Sequence, residues 1–250
     1  MSFNFGQRID SSNILFYFDA DNPKCYISGR TCNELIYNDT GNMDNASSNQ
    51  VQFTSNGLQS SMTFNGLDYI DFGPRIRNIA PSLPITIETW VKLGTNTTFN
   101  GVVSLDNRTI AYAGVVLQIY PQVIGSTYRV EAGFGTNVGF GFQNRRSFNT
   151  SALSQELISQ NVWTHIVAVF VSNNDIRVYF NGVLISGVYS GLATVPVWST
   201  IGTLRLGQSW GATGNLVGDI NTSIVWNRLM SETEVISRYD STKYRFGLWV

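Results

Sequence analysis

Three kinds of residue in this 250-residue chain could do chemistry: acidic side chains close together in sequence, one histidine, and a tryptophan in a glycine-rich stretch. Cutting a glycosidic bond takes two carboxyl groups held about 5 to 9.5 Å apart across it. The acidic neighbours are Asp19 with Asp21, Asp68 with Asp71, and Glu232 with Glu234, while Glu88 stands alone on an alternating run. Each pair sits in turn or cap chemistry: Asn22-Pro23 follows the first, Asn65-Gly66 precedes the second, and Ser231-Glu232-Thr233-Glu234 has capping-box spacing. His165 follows Trp163 at the start of an apolar run, and no Ser or Cys motif accompanies it to make a nucleophilic triad. The expectation is a chain that is not an enzyme.

The tryptophan points to binding instead. Trp210 lies in Ser209-Trp210-Gly211-Ala212-Thr213-Gly214-Asn215, where no strand period would bury it. An indole face can stack on a sugar ring while neighbouring amides and hydroxyls read its hydroxyl groups. The candidate ligand-binding set is therefore Trp210, Gln208, Ser209, Asn215 and Tyr112, with Phe99 and Trp198 as further aromatic candidates. The rival readings of Trp210 are an aromatic plug closing one end of the fold and an anchor in a protein interface, where Trp is enriched.

Short β-branched and aromatic runs broken by Gly, Asn, Pro and Ser must position these residues, and they recur along the whole chain. Strands are expected at Ile14 to Asp19, Ser61 to Phe64, Tyr69 to Phe72, Ile85 to Val91, Gly101 to Leu105, Val115 to Tyr120, Tyr128 to Phe134 and Gly139 to Phe142. Asn65-Gly66 is expected to close a hairpin between the second and third of these. Ile85, Ile87 and Val91 share one face, and Trp90 on the other face reads as a second packing layer. Further on, His165 to Val171, Ile176 to Phe180 and Val183 to Ile185 form a three-stranded meander of central strands, its second turn the type I′ pair Asn181-Gly182. Leu204 to Leu206, Gly218 to Trp226 and one short helix from Ser231 complete the series. The fold class is all-β: a two-sheet antiparallel sandwich, or jelly roll, in one domain over 1–250, with its core at 13–238 and a C-terminal tail at 239–250.

Composition sets the outer limits. Hydrophobic residues are 43% and charged ones 13% of the chain, enough to build a large core. A net charge of -1 with no basic run excludes the counterion-releasing affinity that nucleic-acid binding requires. The first ten residues hold no apolar stretch long enough for a signal sequence, and no run in the chain would cross a bilayer. Synthesis without a signal peptide and no membrane insertion are the expectations. Cys25 and Cys32 flank the turn-prone Ser28-Gly29-Arg30, so a disulfide and a pair of reduced thiols both stay open.

Four segments in this order resemble the concanavalin A-like superfamily, in particular its laminin G-like and pentraxin branch. They are Phe64 to Ile70; Ile85 to Val91; Trp163 to Val169 with Val178-Tyr179-Phe180-Asn181-Gly182; and Leu204 to Gln208 with Val217 to Ile220 and Trp226 to Ser231. The opening Tyr17 to Tyr26 looks like the start of laminin G-like proteins encoded by bacteriophages and other viruses. The resemblance implies a virion surface component that attaches to glycans on a host, with other virion proteins or copies of itself as partners; an extracellular assembly is the alternative setting. A structural capsid or tail decoration protein is the other functional reading, motivated by the apolar tail Tyr244 to Val250. Hydrolases of the superfamily place their acids as E-x-D-x-E or E-x-D-x-x-E, which this chain lacks. Many relatives hold calcium, and Asp106, Asn107 and Gln208 match two fragments of the pentraxin pattern, so these are the candidate calcium ligands. The acidic residues that should follow Gln208 are missing.

Overall fold

The computed structural model describes residues 13–22, 47–48, 51–56, 59–95, 100–107, 110–121, 127–151, 157–210 and 214–248. Cys25, Cys32 and Phe99 lie outside them. In chain order the strands are β1 (Ile14–Asp19), β2 (Ser47–Ser48), β3 (Gln52–Ser55), β4 (Ser60–Asn65), β5 (Ile70–Asp71), β6 (Ile85–Leu93), β7 (Asn100–Asn107), β8 (Ala113–Pro121) and β9 (Thr127–Thr136). They continue with β10 (Arg145–Thr150), β11 (Ile158–Ser159), β12 (Trp163–Ser172), β13 (Asp175–Phe180), β14 (Val183–Ile185), β15 (Gly187–Gly191), β16 (Thr203–Leu206) and β17 (Val217–Trp226). The helices are α1 (Arg75–Ile79) and α2 (Glu232–Thr242), the latter running into a 3-10 turn at Lys243–Phe246.

Period-two patterning has the consequence expected of it. Among the described residues the strands form an eight-stranded sheet ordered β14-β13-β12-β6-β17-β4-β3, with β1 also on β17, and a nine-stranded sheet ordered β15-β10-β9-β8-β7-β16-β5-β2, with β11 on β9. All pairings are antiparallel. Ile85, Ile87, Val91 and Leu93 of β6 meet Val115, Leu117 and Ile119 of β8 and Val130, Ala132 and Phe134 of β9 in one buried cluster between the sheets. No helix among the described residues is long and apolar enough to cross a membrane.

Three expected elements differ. Asn65-Gly66 does not close a hairpin: β4 lies in the eight-stranded sheet and β5 in the nine-stranded one, so the turn is a corner between sheets. Gly66 has φ +90°, and a Cβ there would stand 2.8 Å from Val217 Cγ2, which suits a corner pressed against β17. Gly139 to Phe142 is bend and 3-10 turn; the strand comes later, at β10, whose Arg145-Arg146-Ser147-Phe148-Asn149-Thr150 places only Phe148 in the core and so shows little apolar pattern. The β12-β13-β14 meander forms with positive φ at both Asn181 (51°) and Gly182 (82°), but it ends the eight-stranded sheet at an edge and only β12 lies well inside it.

The C-terminal residues fold back on the outer face of the eight-stranded sheet. Ser231 caps α2, its hydroxyl accepting from Glu234 N at 3.3 Å. Trp90 is indeed a second packing layer: it is 1% exposed, stacks on Phe246 at 4.0 Å, and donates its Nε1 to Thr242 Oγ1 at 3.0 Å. Beneath α2 the carboxylate of Glu88 is buried among His165 Nε2 (3.1 Å), Arg238 Nε (2.5 Å) and Trp226 Nε1 (3.4 Å). His165 is thereby a packed, hydrogen-bonded core residue.

Burial alone would raise the Glu88 pKa, but the His165 hydrogen bond and the Arg238 charge outweigh it and hold it at about 2, against an ordinary 4.5. A depressed carboxylate stabilises the fold fully above its unfolded value, and that contribution fades as pH falls through 4.5 toward 2. Glu88→Gln is therefore expected to cost roughly 3 kcal/mol at neutral pH. Urea titrations should show the gap from wild type narrowing as pH falls below about 5; a gap constant with pH would contradict the ion cluster. Phe246→Ala should cost about 3–5 kcal/mol in the same assay.

Candidate functional site

Alternate residues of the nine-stranded sheet point away from the core, and the register aligns them in rows across the strands. One row reads Ser190, Ser147, Gly133, Val116, Ser104, Arg205 and Asp71, on β15, β10, β9, β8, β7, β16 and β5. The next reads Val188, Asn149, Glu131, Gln118 and Gly101. From β10 to β7 the first row holds only Ser, Gly, Val and Ser, so a floor of small residues runs about 14 Å across four strands. Longer, half-buried side chains border it: Tyr120 and Arg129 on one side, Tyr112 and Arg145 on the other.

The floor is polar, buried and incompletely paired. Ser104, Gln118, Glu131 and Ser147 are each at most 2% exposed. Ser104 Oγ, Gln118 Oε1, Arg129 Nε, Glu131 Oε1 and Ser147 Oγ have no hydrogen-bond partner. Among the described residues only Asp68 Oδ2 and His165 Nδ1 share that condition elsewhere, so such atoms concentrate on this one face. Leaving a buried donor or acceptor unmade costs about 1–3 kcal/mol each, and a native fold retains a cluster of them only for a reason.

The border is more fully paired. Arg145 Nη1 lies 3.6 Å from Glu131 Oε1, and its guanidinium sits 5.7 Å from the Tyr112 ring. Arg129 lies over Tyr120 at 4.9 Å, and Gln118 Nε2 donates to the Tyr120 hydroxyl at 3.3 Å. Burial first, then the negative charge and hydrogen bond of Glu131, push the Tyr120 hydroxyl well above its ordinary range. Tyr120 therefore keeps its proton and donates it to Glu131.

Of the five ligand-binding candidates from sequence, only Tyr112 borders this floor. Its backbone and Cβ occupy the space over Gly135, 2.3–2.5 Å from where a Cβ would stand. Trp210 is corrected from an exposed platform to a buried plug: it is 2% exposed, donates Nε1 to Ala113 O at 2.8 Å, and packs 4.9 Å from Tyr112. The cause is Gly101. With no Cβ there, the 208–209 peptide lies 2.0–2.2 Å from where one would be, directly against β7, and Gly101 N and Ser209 N both bond Gly214 O. Ser209 is 0% and Gln208 3% exposed, and neither offers a free surface. The Gln208 side chain bridges Arg205 Nη1 (2.5 Å) and Asn215 Oδ1 (2.8 Å), which also accounts for Asn215. Trp198 packs against the core and donates to Pro81 O at 3.0 Å.

The calcium candidates do not assemble. Asp106 is 0% exposed and spends both oxygens on Ser199, accepting from its N at 2.5 Å and its Oγ at 2.7 Å. It clasps the 199–202 turn, where Gly202 is required because a Cβ would lie 1.7 Å from Asp106 Oδ1. Gln208 is engaged as above, and the Asn107 side chain lies outside the description. Among the described residues no three of His, Cys, Asp or Glu converge for a metal. A cation needs several oxygens free to turn toward it, and this donor set does not fit one.

Gln118, Tyr120, Arg129, Glu131, Arg145 and Ser147 were missed from sequence. Their only signal is polar residues alternating within otherwise apolar β8 and β9, which the pattern alone assigns to a solvated face.

A family model described as the concanavalin A-like lectin/glucanases superfamily matches residues 64–236. The sequence matches no curated protein. Among solved structures, the chain is similar to domain 4 of AbnA, a GH43 extracellular arabinanase from Geobacillus stearothermophilus, in complex with arabinotriose, at 15% identity and TM-score 0.58, covering 91% of this chain and 98% of that one. It is similar to the Ruminococcus gnavus IT-sialidase CBM40 bound to alpha2,3 sialyllactose, at 15% identity and TM-score 0.53, covering 71% and 95%. It is also similar to the receptor binding domain of botulinum neurotoxin mosaic serotype C/D, at 13% identity and TM-score 0.59, covering 92% of this chain and 51% of that one. The chain thus spans about half the length of that toxin domain. At these identities the likeness is one of fold.

Trp210→Ala should cost about 3–5 kcal/mol in chemical denaturation, as for a buried aromatic ring. A loss below about 0.5 kcal/mol would mark it as an exposed side chain after all.

Proposed function

This chain belongs to the concanavalin A-like lectin/glucanases superfamily, and we propose that it is a non-catalytic carbohydrate-binding module whose ligand lies across the outer face of the nine-stranded sheet. The observation that carries this reading is the row of small residues beside unpaired Gln118 and Glu131, bordered by Tyr112 and Tyr120. A sugar supplies what such a floor lacks: hydroxyls that donate and accept at once, and an apolar ring face for an aromatic border. The arabinotriose-bound and sialyllactose-bound neighbours support the reading at the level of fold.

The acidic residues support a role without catalysis. Asp19 and Asp21 both pair with Arg245, Glu234 pairs with Arg228, and Glu88 lies beneath α2. Glu131 and Asp71 share the outer face but stand four strands apart, about 19 Å by strand spacing. That exceeds the roughly 9.5 Å that glycoside cleavage tolerates.

The setting we propose is a virion surface, with attachment to host glycans as the role and other virion proteins or further copies of the chain as neighbours; the support is the opening stretch Tyr17 to Tyr26. The decoration-protein alternative drew on an adhesive C-terminal tail. That motive weakens because Phe246 packs on Trp90 and Trp163 of its own chain.

Calorimetry and a glycan array of neutral and acidic oligosaccharides test the binding reading. Wild type should bind at least one class, and Gln118→Ala should weaken that binding about tenfold, the loss of one well-made hydrogen bond. An array blank for the folded protein would end the proposal.

A further inference from the structure

The two sugar-bound neighbours carry ligands of opposite character, a neutral arabinotriose and an acidic sialyllactose, at equal 15% identity to this chain. Fold alone does not choose between them. Resting on the carbohydrate reading above, we infer that the outer face of the nine-stranded sheet selects neutral sugars through their hydroxyl groups and rejects sugars that carry a carboxylate.

The choice follows from which polar atoms are left over. Tyr120 gives its proton to Glu131, so its oxygen must take a donor, and Gln118 turns its Nε2 to it at 3.3 Å. This fixes the Gln118 amide and leaves its carbonyl Oε1 without a partner. Glu131 Oε1 is likewise without a hydrogen bond. Gln118 and Glu131 are directly paired residues of β8 and β9, so their side chains rise about 4.5–5.5 Å apart on one face. Two adjacent acceptors need two donors from one ligand. Neighbouring hydroxyls on a sugar ring supply them, and the hydroxyls of Ser147 and Ser104, which donate or accept, meet the rest.

A carboxylate meets the opposite conditions. It has no donor for either acceptor, and it would approach the negative charge of Glu131 in a buried setting where like charges repel strongly. The cations nearby are already committed. Arg145 faces Glu131 at 3.6 Å; Arg205 holds Asp71 at 2.9 Å and Gln208 at 2.5 Å; Arg146 donates to Asn173 O at 2.6 Å, Gly191 O at 2.7 Å and Asn174 Oδ1 at 2.9 Å. Arg129 Nε remains as a single donor, lying among groups that accept.

Titrate wild type, Glu131→Gln and Ser147→Ala with arabinotriose, a panel of other neutral oligosaccharides, and alpha2,3-sialyllactose at neutral pH, with a thermal melt of each variant to establish folding. The expected result is that the best neutral ligand binds at least about tenfold more tightly than sialyllactose. Glu131→Gln should weaken neutral binding about tenfold and relieve the penalty on sialyllactose, so that the preference collapses. Ser147→Ala should weaken neutral ligands while keeping the preference, which tests the same floor should Glu131→Gln fail to fold. Tighter binding of sialyllactose, or a preference unchanged in folded Glu131→Gln, overturns the inference while the carbohydrate-binding reading stands. Silence from every oligosaccharide overturns both.

Discussion

An antiparallel strand shows its side chains to two faces in turn, and two sheets pressed together consume only one face of each. Everything distinctive here follows from what the chain does with the two faces left over. The outer face of the eight-stranded sheet is closed by α2 and the 3-10 turn after it, over apolar clusters around Trp226 and Trp90. The outer face of the nine-stranded sheet carries no such helix among the described residues and is polar instead. One face completes the fold, and the other is left to do something.

Glycines decide the relief of that second face. Gly101 lets the 208–209 peptide lie on β7, which pulls Trp210 down onto Ala113 O and Tyr112. Gly135 admits Tyr112 over β9, and Gly133 keeps the middle of the floor low beside Ser147, whose Oγ would stand 2.9 Å from a Cβ placed there. Packing and site are thus coupled: the aromatic plug at Trp210 buttresses Tyr112, and Tyr112 in turn carries Arg145 toward Glu131.

How much of this was legible in the sequence depends on the range of the interaction. Period two identified β6, β8, β9, β12 and β17, because apolar alternation is a local property that burial between sheets enforces. The Ser231 cap and the Asn181-Gly182 turn were equally local. The corner at Asn65-Gly66 was not, since the same dipeptide serves a hairpin or a sheet change and only the partner of β5 decides. Trp210 was misplaced for the same reason: its burial depends on a glycine more than a hundred positions earlier in the chain. The floor itself comes from four strands whose polar residues look, one strand at a time, like an ordinary solvated edge.

Glu88 and Glu131 make the difference between structure and site concrete. Both are 1% exposed, and both lie on strands inside their sheets, on the face turned away from the core. Glu88 receives His165, Arg238 and Trp226 across its two oxygens, and its depressed pKa is the thermodynamic record of that satisfaction. Glu131 has Tyr120 and a more distant Arg145, and keeps one oxygen without a hydrogen bond beside the equally unpaired carbonyl of Gln118. Burial without full pairing is a cost that folding does not recover by itself. It is recovered when something polar enters, and the groups left waiting dictate that what enters must donate hydrogen bonds and carry no negative charge.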